Sequence, residues 1–225
     1  MDSTIVNKEI KSLIRPLLQD AGFTQFTART AWRYSPGKID VLNFQSFNSY
    51  LADRLDCTTY SFSIRLGCSF DAIPKYTRVK QKNGYLRPEE YECHIRFTLQ
   101  KSIKQPNLKR KDVWYVDPTG NNLAIVVGDA KKAILETGLS WFTRFQDQRE
   151  VLRTLLEDSE ENLGTHGFGA NPSPMRNFMS GFMALSLGHK GLARKHLKQA
   201  IDSGCFKVFQ PAMHAALEGI DSESG

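Results

Sequence analysis

A chain of 225 residues with 40% apolar residues, 14 Phe and 3 Trp carries enough apolar side chains for one large core, which excludes general disorder. It holds no run of about 18 apolar residues, which excludes an α-helical membrane span. The net charge of +6 is unevenly spread: between Lys75 and Lys111 stand 11 Lys and Arg against 3 Glu, so one segment supplies the whole basic excess.

The first residues, Met1-Asp2-Ser3-Thr4-Ile5-Val6-Asn7-Lys8, lack the basic start and apolar middle of a secretory signal, so the expected compartment is the cytoplasm. Ser3 to Asp20 reads as a helix, with Ile5, Ile10, Leu13, Ile14, Leu17 and Leu18 on an apolar stripe. Pro16 predicts a kink or a two-piece helix, and Gly22 its end. Phe23 to Tyr34 and Ile39 to Phe47 read as the strands of a hairpin around Ser35-Pro36-Gly37-Lys38.

Two further strands follow, Thr58 to Phe70 and Tyr91 to Leu99, joined by a basic loop from Asp71 to Glu90. Both alternate apolar and polar residues. Tyr60, Phe62, Ile64, Leu66, Cys68 and Phe70 share one face with Tyr91, Cys93, Ile95, Phe97 and Leu99; Arg65, His94 and Arg96 fall on the other. Such alternation belongs to a sheet with one side on a core and one side facing water.

Beyond the Asp117-Pro118-Thr119-Gly120 turn, Leu123 to Thr137 reads as a helix ended by Gly138, Leu139 to Phe142 as a link, and Thr143 to Asp158 as another helix. Residues 158–173 are the best linker: the stretch from Glu157 to Pro174 holds three Gly, two Pro and the acidic run Glu157, Asp158, Glu160 and Glu161. Gly164, Gly167 and Gly169 do not form a phosphate loop, because no Gly-Lys-Ser/Thr follows. Pro174 to Leu187 and Lys190 to Asp202 pair as one tetratricopeptide-like hairpin, with Gly181 and Leu197 at the close contact and Val208 to Leu217 as a cap. The expected organisation is an α+β domain over 1–157, a linker over 158–173 and a helical appendage over 174–219. The expected fold is α+β: a twisted antiparallel sheet of about four to five strands, helices on one face, and the C-terminal helical hairpin.

On the hydrophilic face Arg65, His94 and Arg96 would cluster, with Asn43 and Gln45 nearby, as an anion receptor: Arg offers a planar fork to carboxylate or phosphate. The bland alternative is that the arginines pair with Glu92 and Asp71, or lie under the C-terminal helices. The basic segment, including Lys80, Lys82, Lys109, Arg110 and Lys111, would steer an acidic partner, or be only a solvated pair of loops. Cys93 and His94, adjacent in a strand, point to opposite faces and cannot form a catalytic dyad. No pair of cysteines has zinc spacing, and Cys68 and Cys93 read as reduced core thiols. No cofactor or metal is expected, and the common catalytic motifs are absent.

Gly22-Phe23, Trp32, Val41-Leu42-Asn43-Phe44-Gln45-Ser46, Ile64-Arg65-Leu66-Gly67, Tyr91-Glu92-Cys93-His94-Ile95-Arg96, Trp114-Tyr115 and Gly138-Leu139-Ser140-Trp141-Phe142 together resemble the bacterial domain-of-unknown-function family 4304 over roughly residues 5 to 157. The resemblance implies a fold and a bacterial cytoplasmic origin, but no reaction. By analogy with other small bacterial α+β domains it suggests an immunity or phage-defence setting. The function expected is a non-enzymatic module binding an acidic protein partner. The alternatives are a nucleic-acid-associated protein and an enzyme acting on a phosphorylated ligand at the Arg–His cluster.

Overall fold

The computed structural model describes residues 3–105, 110–160 and 169–222. The chain begins with α1 (Ser3–Leu13) and α2 (Arg15–Asp20). Pro16 stands in the first turn of α2, where a missing N–H costs nothing, so the helix breaks into the expected two pieces. Val6, Ile10, Ile14 and Leu18 still form one buried stripe across the break.

A five-stranded sheet follows in the order β1-β2-β3-β4-β7, every pair antiparallel. The strands are β1 (Gln25–Phe26), β2 (Thr30–Ser35), β3 (Lys38–Ser46), β4 (Phe62–Phe70) and β7 (Ile95–Thr98). β3 and β4 pair along their whole length, from Lys38↔Phe70 to Ser46↔Phe62. One face of the sheet presents Ala31, Leu42, Phe44, Ile64, Leu66 and Ile95 to the main core. Over it lie α1, α4 (Leu123–Ala133) and α5 (Leu139–Arg144), through Val6, Ile10, Val126, Val127, Ala130 and Phe142. The fold is thus α+β with an antiparallel sheet. No helix among the described residues is long and apolar enough to cross a membrane.

The main core face also holds a buried charge cluster. Asp40, 1% exposed, accepts from Arg33 Nε at 2.8 Å, from Lys38 Nζ at 3.0 Å and from the Cys68 thiol at 3.2 Å. Lys38 also donates to the Phe142 carbonyl at 2.9 Å, which fastens β3 to α5.

The C-terminal helices are α7 (Pro174–Ser186), α8 (Lys190–Asp202) and α9 (Gln210–Ser222). At Gly181 a Cβ would lie 2.7 Å from Leu197 Cδ2, so α7 and α8 close at the predicted point. The appendage rests on the main body. Arg176, fully buried, donates to the carbonyls that end α6 (Gln148–Leu156), and Phe178 stacks among Phe206, Phe209 and Tyr76.

Several expected elements differ. The strand over Phe23–Tyr34 is interrupted: Thr27 Oγ1 accepts from Thr30 N at 2.9 Å and from Arg29 N at 3.3 Å, closing a turn between β1 and β2. Gly138 does not end a helix. Ile134–Gly138 forms a π-helical turn that runs on into α5, because Leu139, Trp141 and Phe142 pack on the core. The expected helix over Thr143–Asp158 starts later, at α6, where Asp147 caps the Arg149 N–H at 2.9 Å. A short α3 (Ser49–Arg54), capped by Asn48, was not anticipated. Much of the expected linker, including Glu161, Gly164 and Gly167, lies outside the described residues.

Candidate functional site

The register sets the second face of the sheet in rows. Thr98, Arg65, Asn43 and Thr30 align in one, and Arg96, Gly67, Val41, Trp32 and Gln25 in the next. The first row is polar. The second is apolar over β3 and β2, where Trp32, Ile39 and Val41 form a small core of their own.

This face is not left open to water, contrary to the sequence-based expectation. Residues 86–94 cross it as a strap. The strap is tied down by Tyr34 Oη donating to the Leu86 carbonyl at 2.8 Å and Trp32 Nε1 donating to the Pro88 carbonyl at 2.8 Å. Arg87 stacks on the Trp32 ring at 5.2 Å and donates to Gln25 Oε1 at 2.6 Å. A 3₁₀ turn over Glu90–Glu92 follows, closed by Glu92, whose carboxylate accepts from Glu89 N at 2.8 Å and from Thr77 Oγ1 at 2.7 Å. The strap can lie this close only because position 67 is glycine: a Cβ there would sit 2.7 Å from Cys93 Sγ and 3.2 Å from the Glu90 carbonyl. The far end of the face is capped by α3 and residues 110–115, through Phe47, Ala52 and Val113.

Arg65 and Arg96 stand diagonally across β4 and β7 and act on one carboxylate, that of Glu90. Glu90 is only 6% exposed, with Arg65 Nη1 at 3.9 Å. Burial raises its pKa, and Arg96 and then Arg65 offset only part of that rise. The two guanidiniums therefore meet as expected, but over an internal anion that sequence reasoning did not choose. Arg65 also acts on the Asp112 carboxylate. Asn43 Nδ2 donates to Thr30 Oγ1 at 2.9 Å and Gln45 Nε2 to the Ser46 carbonyl at 3.1 Å, so neither amide is turned to the arginines.

His94 does not join them. Its ring is fully buried on the core side, stacked on Phe70 and edge-on to Tyr76, with Nδ1 accepting from Phe70 N at 2.9 Å. Burial first, then Lys75, lowers its pKa to about 4, against smaller opposing pulls from the Pro74 carbonyl and Asp71. Cys93 likewise leaves the main core face and packs with Trp32, Ile39 and Val41. The reason is shared: β7 starts only at Ile95, and the 3₁₀ turn before it rotates residues 93 and 94 out of the strand's phase. Burial holds both Cys93 and Cys68 well above the ordinary thiol pKa, so they are inert core thiols.

The basic segment divides. Arg87, Arg96 and Lys101 serve internal contacts, and Lys75 pairs with Asp71 at 3.2 Å. Lys80 and Lys82 stand exposed on a hairpin of β5 (Gln81–Lys82) and β6 (Tyr85–Leu86) that sequence reasoning left as loop. The signal was available: Asn83-Gly84, with φ of 52° and 80°, is the two-residue turn that matches strand twist. Tyr85 and Leu86 remain 43% and 37% exposed beside the lysines, and Tyr91 is 66% exposed on the strap. Arg110 and Lys111 are exposed on the loop before Val113, with Arg110 Nε on Asp112 at 2.8 Å; Lys109 lies outside the described residues.

Among the described residues no group of three His, Cys, Asp or Glu is placed to hold a metal ion. No curated protein and no solved structure matches the chain. One family model does, over residues 14–144, more than half of the length, and it spans the sheet, the strap and helices α4 and α5. The chain belongs to the family of the domain of unknown function DUF4304.

Proposed function

We propose that this protein is a non-enzymatic interaction module that docks an acidic protein surface on the β5–β6 hairpin. The observation that carries this reading is the hairpin itself. Residues 72–88 hold five Lys and Arg and no acidic residue, and Arg78, Lys80 and Lys82 are exposed around Tyr85 and Leu86. A small apolar centre with a cationic rim suits a protein carrying a complementary acidic patch. The anchors at Tyr34 and Trp32 hold the hairpin in place before any partner arrives, which lowers the ordering cost of docking.

Arg65 and Arg96 are supports in this reading rather than contacts, because they neutralise Glu90 beneath the strap. Lys104 and Lys111 are also exposed. The alternative of an enzyme acting on a phosphorylated ligand relied on His94 beside the arginines, and that grouping is not assembled.

The test is capture from nuclease-treated host lysate, followed by purification of the captured protein and its titration against the wild type and the double variant Lys80→Glu/Lys82→Glu. Association should slow by about tenfold or more in the variant, with the melting temperature unchanged. An unchanged rate removes the hairpin from the reading. Binding of DNA or RNA instead, falling steeply between two salt concentrations in a gel shift, would replace the protein partner with nucleic acid. The immunity or phage-defence setting is part of the same proposal and is tested by the neighbouring genes: a toxin or nuclease next door supports it, a metabolic operon removes it.

A further inference from the structure

On the main core face of the sheet, at its β1 edge, α1 and α2 lean over β1, β2 and the turn between them and leave a cleft of about 450 Å³. That volume falls within the range of small-molecule sites. Its apolar wall is Ile10, Ile14, Leu18, Phe26, Ala31 and Phe44. Its polar lining includes Lys8, Lys11, Arg15 and Arg29, and no Asp or Glu.

Two residues that line this cleft each carry a buried polar atom with no hydrogen-bond partner among the described residues: Arg29 Nη1 and Asn7 Oδ1. The backbone around Arg29 is firmly held, with its carbonyl accepting from Phe44 N at 2.8 Å and its N–H donating to Thr27 Oγ1 at 3.3 Å. Arg15 is occupied, its guanidinium 4.6 Å over the Phe26 ring and within 3.4 Å of the Thr27 carbonyl. Arg29 differs. Burial depresses its pKa, to about 10, and no anion among the described residues acts against that burial. A desolvated guanidinium without a counter-ion is a standing cost, which a bound anion relieves.

We propose that this cleft is a binding site for an amphiphilic carboxylate, an unbranched apolar chain ending in a single carboxylate. The chain lies along Ile10, Ile14 and Phe44, and the carboxylate meets Arg29. Lys8 and Lys11 supply the positive field at the exposed rim. The site is distinct from the β5–β6 hairpin, so it stands or falls independently of the docking reading.

The experiment is calorimetric titration of the purified full chain with decanoate, below its micelle concentration, against decanol as the uncharged match. Decanoate should bind about tenfold or more tightly than decanol. In Arg29→Met that preference should vanish, while the melting temperature without ligand should rise, because the substitution removes a guanidinium nitrogen buried without a partner. Arg29→Lys should keep the preference in weaker form. Equal affinity for decanoate and decanol, or no binding of either, overturns the site. A fall in melting temperature for Arg29→Met with the preference retained would show that Arg29 is structural and overturn its role.

Discussion

Arg176 Nε lies 2.9 Å from the Leu155 carbonyl oxygen, although 21 residues separate them and the intervening chain is rich in Gly and Pro. The same guanidinium reaches the Glu157 carbonyl at 2.8 Å and the Gly169 carbonyl at 3.1 Å, and pairs with the Asp158 carboxylate. A side chain of α7 thereby caps the C-terminal carbonyls of α6, which have no partners within their own helix. Arg176→Met should lower the unfolding free energy by about 2–4 kcal/mol, since buried carbonyls lose their donors. Urea denaturation followed by tryptophan fluorescence measures this; a loss under about 1 kcal/mol would mean water replaces the guanidinium.

Gly67→Ala tests the strap. The added methyl must push against Cys93 Sγ and the Glu90 carbonyl, and overpacking of this kind costs about 1–3 kcal/mol. The strap should loosen first, and amide exchange should rise at residues 86–94 ahead of β3 and β4. Uniform exchange across the sheet would contradict the strap as a separate layer.

His94 makes stability depend on pH with a definite sign. Its folded pKa of about 4 lies below the usual 6.5, so the unfolded chain takes up the proton first. Stability is therefore full above about pH 6.5 and falls as pH drops toward 4, by roughly 2–3 kcal/mol from this group. His94→Gln keeps an acceptor for the Phe70 N–H and removes the titration. The difference between variant and wild type, taken from denaturation midpoints at pH 7 and pH 4.5, should shrink or reverse at the lower pH. A difference that stays constant would mean that the ring is not buried neutral.

Asp40 balances two cations on the main core face. Asp40→Asn leaves Lys38 and Arg33 without their counter-charge and should cost about 3–5 kcal/mol. Adding Lys38→Met should restore part of that loss, because one buried charge is then removed along with its partner. Strict additivity of the two substitutions in thermal unfolding would show that they do not interact.

The local patterns carried far. The β3 and β4 alternation, the break at Pro16, the α7–α8 contact at Gly181 and Leu197, and the α+β class all follow from periods and residue types within a few positions of each other. The same reasoning placed Arg65 and Arg96 on one face, where they lie. It failed at Cys93 and His94 because alternation predicts orientation only while the backbone stays extended, and the strand begins four residues later than the pattern suggests, at Ile95 rather than Tyr91.

The amino-acid order alone thus determined which residues are apolar neighbours along each strand and helix, and that the basic charge concentrates in one stretch. The tertiary structure decided what covers the second face. The strap lies there through contacts such as Arg87 to Gln25 and Trp32 to Pro88, between residues more than 50 positions apart. Glu90 became the partner of the arginines, and Arg29 Nη1 was left without one among the described residues, by the same long-range packing. Periodicity fixes which way a side chain points; only chain closure fixes what it meets.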